Sequence, residues 1–247
     1  MKTEEVKQVL VYGERRIPYQ LQFSDRKRLR IVVKPNLGIV ADAPRKFSED
    51  EVLEAVHSKA RWIIRQLSEF EEFHPLPTPH KFISGETFVY LGRQYRLKVL
   101  KGEKAPAMLR GRFLHVTVPL KSDTIEIKAG LDDWYRARAE NIFRRYLASC
   151  MTIARRHGVE APPITIRNMR TRWGSCTAAG RIILNLKLIL APVHCIEYVI
   201  MHELCHLIHH NHSPRFYQLL TRCMPDWEKR RTLLRQVVFP HEEPLKL

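Results

Sequence analysis

Over the first 43 positions, apolar residues alternate with polar ones in short runs, which predicts β-strands at residues 9–12, 19–23, 29–33 and 39–43. Pro35-Asn36-Leu37-Gly38 supplies the turn between the last two, and the set is expected as a β-meander. The period then changes. Ser48 and Glu51 form a capping-box pair, and Val52, Val56, Ile63, Ile64 and Leu67 recur behind them at helical spacing, so a helix should lay one face on this sheet. His57 and Trp62 in that helix are assigned to packing. The run 73–80 holds Pro75, Pro77 and Pro79, an extended connector and the best boundary in the chain.

A second alternating series predicts strands at 88–91, 95–100 and 113–118, separated by turns at Gly92 and Lys101-Gly102. Like the first, it ends near a proline (Pro44, Pro119) ahead of a Ser- or Asp-led helix that contains Trp62 or Trp134. This is a weak repeat, without the residue identities of a duplication. Residues 124–157 should form a long amphipathic helix with Tyr135, Ala139, Ile142, Tyr146, Cys150 and Ile153 inward and Gly158 as its stop. After Pro162-Pro163 come a short strand at 164–167 and an unusual basic loop at 168–176. In the run 181–190, Ile182, Leu184, Leu186, Leu188 and Leu190 make one apolar face. That run predicts a strand, either an ordinary half-exposed one or one lining a cleft and pairing with an extended substrate.

Pro192 starts a helix whose core stripe is Ile196, Ile200, Leu204, Leu207 and Ile208. Ser213-Pro214 starts another, with Phe216, Leu219, Leu220 and Cys223 inward. These elements describe an α+β protein in three parts: residues 1–75 (meander plus helix), 76–130 (a second β-rich segment packed with it) and 131–247.

Candidate chemistry concentrates in the last part, where five of the 12 histidines lie between positions 202 and 212. His202-Glu203-Leu204-Cys205-His206 is an H-E-x-x-H pattern: two imidazoles one helical turn apart share a face and can close on one ion, with the glutamate between them as base. A third ligand is needed. On a continuous helix His210 would lie about 12 Å along the axis from His202, too far for one metal, so the chain must break and fold back. With the next helix starting at Ser213-Pro214, the break is expected near residues 210–211, Asn211 tolerating a left-handed turn, and His212 becomes the third ligand. His209 stands where the H-E-x-x-H-x-x-G-x-x-H class has its glycine. His209 and His210 are then solvent-facing or supporting groups.

Composition narrows the setting. The formal charge of +16 and pI near 9.9 predict attraction to polyanions, nucleic acid among them, although the Arg and Lys are spread along the chain without an aromatic-basic module. The six arginines of the 124–157 helix read equally as a solvated face or as phosphate contacts. The run at Arg26, Lys27, Arg28 and Arg30 reads as edge protection or as an anion-binding edge. Five widely spaced cysteines without a C-x-x-C pair argue against a disulfide framework, which fits a reducing cytoplasm. No apolar stretch approaches a membrane span, and no leader is recognised, so a soluble, unprocessed cytoplasmic protein is expected.

The run Arg172-Trp173-Gly174-Ser175-Cys176 is followed by Ile183-Leu184-Asn185, by the segment 198–206 around the H-E-x-x-H pattern, and by Asn211-His212-Ser213-Pro214-Arg215-Phe216-Tyr217. Together these resemble the YgjP-like metallopeptidase-domain family of metal-dependent hydrolases, related to WLM and SprT-like zinc proteases. Tyr90-Leu91-Gly92 and Pro225-Asp226-Trp227 extend the resemblance over nearly the whole chain. It implies a zincin-like fold over residues 131–247, one Zn²⁺ per chain held by His202, His206 and His212, and Glu203 as general base. Cys205 departs from the small residue usual at its position, as a near-isosteric filler.

Three functions follow. The first is a zinc metallopeptidase acting on a peptide or protein bound along 181–190, with Tyr217 or Arg215 as candidate oxyanion donor or merely packed in the last helix. The second is a nucleotide phosphohydrolase whose phosphates are clamped by Arg167, Arg170 and Arg172; it lacks a carboxylate-rich Mg²⁺ site. The third is a nucleic-acid-binding protein with a structural zinc, which would leave Glu203 idle.

Overall fold

The computed structural model describes residues 6–34, 36–71, 79–169, 172–235 and 237. Pro35 of the expected turn, residues 73–78 of the connector, and Arg170 and Thr171 of the basic loop lie outside them. The chain divides into two compact units, one within residues 1–78 and one within Pro79–Val237.

In the first unit β1 (Val6–Tyr12), β2 (Arg15–Ser24), β3 (Arg30–Val33) and β4 (Ile39–Pro44) form one sheet in the order β1-β2-β4-β3. It is not a meander, because β2 and β4 pair in parallel, Gln20 opposite Val40 through Ser24 opposite Pro44. The reason is burial. β4 is buried along nearly its whole length, whereas β3 opens on an exposed Arg30, and a meander would have left β4 on an unprotected edge. Helices α1 (Glu49–Ser58) and α2 (Ala60–Glu71) follow, separated at Lys59 where one helix was expected. The capping box forms as expected: Glu51 N donates to Ser48 Oγ and Ser48 N to Glu51 Oε2. Val52, Val56 and Ile63 enter the core with Leu10, Tyr19 and Leu21. Trp62 packs partly buried against that core, and His57 is exposed.

The second unit begins with β5 (Thr87–Tyr90), β6 (Arg93–Lys101), β7 (Ala105–Arg110) and β8 (Phe113–Val118), in the order β5-β6-β8-β7 with β6 and β8 parallel. The echo between the halves is therefore a repeat of strand order and direction. β7 was not anticipated. It contains Pro106, lies on the sheet edge, is mostly exposed and breaks register between Ala105 and Met108, so it carries neither alternation nor an unbroken ladder.

Helix α3 (Thr124–Ala154) is capped by Asp123, which accepts from the N–H groups of Ile125 and Glu126, and the chain turns out at Gly158 with φ of 80°. Its buried face is Ile127, Leu131, Trp134, Ala139, Phe143, Cys150, Met151 and Ala154. The expected stripe holds Ala139 and Cys150, but it places Tyr135, Ile142 and Ile153 where Trp134, Phe143 and Ala154 are buried, one residue out of phase. Over 31 residues the 3.6-residue period drifts against any fixed 3–4 pattern.

A small sheet follows, β9 (Ile164–Arg167), β10 (Gly174–Cys176) and β11 (Ile182–Asn185), ordered β10-β11-β9. The strand expected over 181–190 ends at Asn185. There the Asn185 side chain accepts from Lys187 N, and Leu186–Leu190 becomes a 3₁₀ helix burying Leu186, Leu188 and Ile189. Helices α4 (Val193–Cys205), α5 (Pro214–Cys223) and α6 (Trp227–Arg235) complete the unit. The start of α4 is held by the β5–β6 turn: Leu91 N and Gly92 N donate to the carbonyls of Ile189 and Leu190, and a Cβ on Gly92 would stand 2.7 Å from Pro192 Cγ. Among the described residues no helix is long and apolar enough to cross a membrane.

Candidate metal centre

α4 is buried on every side from Cys195 to Cys205 apart from the half-buried Glu197, so burial extends well beyond the expected stripe and takes in His202 (3 % exposed) and Glu203 (2 %). The helix also stops earlier than expected. Cys205 is its last residue, residues 206–208 turn, and Ile208 is exposed. Asn211 does not adopt a positive φ. The fold-back itself occurs: Ser213 Oγ accepts from Phe216 N, Pro214 opens α5, and His212 is delivered beside α4.

The three expected histidines meet. His202 Nε2 lies 3.2 Å from His206 Nε2 and 3.0 Å from His212 Nε2. Two nitrogens bound tetrahedrally to one zinc at 2.0–2.1 Å would stand about 3.3 Å apart. His206 Nδ1 is 2.9 Å from the His209 carbonyl, which fixes the proton on Nδ1 and turns the Nε2 lone pair inward. His209 thus supports the site through its backbone, and His210 is exposed. Burial, the neighbouring histidines and the Arg231 charge push His202 down to about 2. Burial lowers His206 and His212 as well, and neutral imidazoles are what a metal requires. Three converging lone pairs repel one another unless a cation sits among them, so the donor set fits a metal ion, and it is a group that can hold one.

Phe216, fully buried, is the floor under all three rings, with centroids 4.9 Å from His202, 4.5 Å from His206 and 4.9 Å from His212. Tyr217 stacks on His212 at 6.1 Å and on Trp227 at 5.3 Å, while Arg215 is exposed. Cys205 packs as a buried thiol hydrogen-bonded to Cys223.

Glu203 lies against β10. Burial pushes its carboxyl up to about 8, opposed by the Arg172 charge and a hydrogen bond from the Cys176 N–H, and its Oε2 has no hydrogen-bond partner among the described residues. The room for it comes from a missing side chain: a Cβ on Gly174 would stand 2.5 Å from Oε1 and 2.8 Å from Cγ. The loop that carries Arg172 is tied down by Asn185, fully buried, whose Nδ2 donates to the carbonyls of Met169 and Arg172 at 2.8 and 2.7 Å. Arg167 is exposed at the end of β9. The supporting roles of Gly174, Asn185 and Phe216 were not legible, although all three stand inside or beside the motifs that carry the resemblance.

A sequence model of the family described as YgjP-like, metallopeptidase domain, matches residues 27–237. A search of curated proteins finds no match. Among solved structures, the crystal structure of the metallopeptidase zymogen of Pyrococcus abyssi abylysin aligns at 21% identity over 37% of this chain and 88% of that one, with a TM-score of 0.33. A score that low carries no argument about the fold.

Proposed function

The chain belongs to the YgjP-like metallopeptidase-domain family, and from that premise we propose a zinc-dependent hydrolase of peptide bonds, built on a zincin-like fold, in which His202, His206 and His212 hold the metal and Glu203 is the general base. The observation that carries it is the meeting of three imidazole nitrogens on and beside the helix that carries a buried carboxylate whose Oε2 has no partner among the described residues. Zinc, when bound, supplies polarisation of the substrate carbonyl and lowers the pKa of a water to about 7. The residues do the rest. Glu203 would take the water's proton and pass it to the leaving nitrogen, the positive charge of a bound metal favouring its carboxylate form. Cys176 N–H and the space above Gly174 keep that carboxylate in one place.

The peptide's seat differs from the one expected. β11 is paired on both edges, antiparallel to β10 and parallel to β9, so it cannot accept a further strand. β10, at the sheet's end and against Glu203, is the edge we assign to an extended peptide by strand addition. The test compares purified wild type and Glu203→Gln for bound metal and for activity on casein-like peptides and nucleoside triphosphates. Peptide cleavage lost in the variant with metal retained supports the reading. Phosphate release without peptide cleavage overturns it.

A further inference from the structure

The sheet β5-β6-β8-β7 has two unlike faces. On one, Leu97, Leu114 and Val116 are each 1 % exposed and Tyr90 meets Trp134 of α3 edge-on at 4.8 Å, so this face is core. The other face is exposed, and cross-strand pairing sets its side chains in two rows. In the first, Arg96 of β6 lies opposite Phe113 of β8, and Phe113 opposite Arg110 of β7. In the second, Lys98 lies opposite His115, and His115 opposite Met108. All but the half-buried His115 are exposed, Phe113 to 43 %. Lys98 Nζ stands 5.8 Å from the Phe113 ring centroid, and the His115 ring meets Phe113 edge-on at 6.3 Å. The three cations enter no ion pair among the described residues. Residues 87–118 hold seven Lys and Arg against one carboxylate, Glu103, so the flanking turns do not neutralise them. Burial, and then the Lys98 and Arg110 charges, hold His115 below its usual value, which leaves it at neutral pH an aromatic plane instead of a fourth cation.

A face of this make-up fits a partner that is anionic and presents flat aromatic surfaces. Single-stranded nucleic acid has both, phosphates for the cations and unstacked bases to lie on the ring. A duplex keeps the faces of its bases in its own stack. A membrane-surface element needs a continuous apolar face, whereas Phe113 and Met108 are each paired across the strands with a charged or polar side chain. We propose that the exposed face of this sheet binds single-stranded nucleic acid, with a base stacked on Phe113 and neighbouring phosphates held by Arg96, Lys98 and Arg110. Stacking and phosphate contacts are tolerant of base identity, so binding is independent of sequence. It requires neither a metal nor Glu203. Along the chain these residues are dispersed, and the parallel pairing of β6 with β8 is what assembles them.

The test measures fluorescence anisotropy of labelled single strands of about ten nucleotides, one DNA and one RNA, titrated with the full chain. Wild type is compared with Phe113→Ala, with Phe113→Leu and with the triple variant Arg96→Gln/Lys98→Gln/Arg110→Gln. A control of equal charge, Arg136→Gln/Arg144→Gln/Arg155→Gln, alters exposed positions of α3. Single strands should bind more tightly than a duplex of the same sequence, and the tighter of the DNA and RNA strands identifies the natural ligand. Both Phe113 variants should weaken binding by at least about fivefold, because a leucine keeps the apolar contact without the ring that stacks. The sheet triple variant should reduce the slope of log K against log salt by about 2, at roughly 0.7 per phosphate contact, and the α3 control should leave it unchanged. Every substituted side chain is exposed, and thermal melts matching wild type exclude unfolding as the cause. Absence of binding by wild type, unchanged affinity in both Phe113 variants, equal losses in the two triple variants, or tighter binding of the duplex would each overturn the assignment. So would sheet variants that lose binding to phosphatidylserine vesicles or to a polyglutamate peptide while retaining the single strands.

Discussion

Glu203 and Gly174 touch across α4 and β10, and the contact makes the glycine's lack of a side chain a requirement of the site. Gly174→Ala should displace the carboxylate while leaving the three histidines in place: kcat falls by about 10²-fold at unchanged metal content, since a displacement of about 1 Å is enough for such a loss. Peptide kinetics beside metal analysis check it. Glu203 also sets a pH dependence in the metal-free protein. Its folded pKa near 8 lies above the ordinary 4.5, so the protonated form is favoured by folding. Its contribution is complete below pH 4.5 and is lost as pH rises through 8. His202, lowered from 6.5 to about 2, has the opposite sign and loses its contribution as pH falls, but it is common to wild type and Glu203→Gln. The stability of Glu203→Gln relative to wild type should therefore grow by a few kcal/mol between pH 5 and pH 8.5 in urea denaturation without metal. A difference flat with pH would contradict the burial of the Glu203 carboxylate.

At the scale of elements, the site depends on the junction between α4 and α5. Ser213→Ala removes the cap that fixes the first turn of α5, and it should cost about 1 kcal/mol and weaken metal affinity, because His212 is the residue just before the cap. Thermal melts with and without metal separate the two effects. The local signals at the start of α5 were legible in the sequence, since Ser as N-cap and Pro at N1 act within one turn, whereas the end of α4 lies at Cys205, ahead of the break expected near residues 210–211. Signals that depend on distant partners were not legible. The 181–190 alternation is genuine, but Asn185 spends its side chain on Met169, Arg172 and Lys187, and that network ends the strand halfway. Likewise the parallel pairing of β2 with β4, and of β6 with β8, depends on which strand is buried most, a property of the assembled sheet. The strands themselves, apart from the edge strand β7 and the short β10, could be read from alternation alone.

For the whole molecule, the division into two units confines every side chain of the metal centre to Pro79–Val237. That segment expressed alone should bind one zinc per chain with the affinity of the full chain, by competition with a chromophoric chelator; a loss of binding would mean that the first unit completes the site. Metal should also act on global stability, because ions bound only by the folded state contribute RT ln(1 + [L]/Kd), about 4 kcal/mol at a thousandfold excess over Kd. The central claim is that a three-histidine metal centre works through Glu203, and peptide hydrolysis by zinc-loaded wild type and Glu203→Gln at matched metal content tests it most directly. The account predicts one zinc per chain in both proteins and a rate at least about 10²-fold lower in the variant. Equal rates at equal zinc would contradict it.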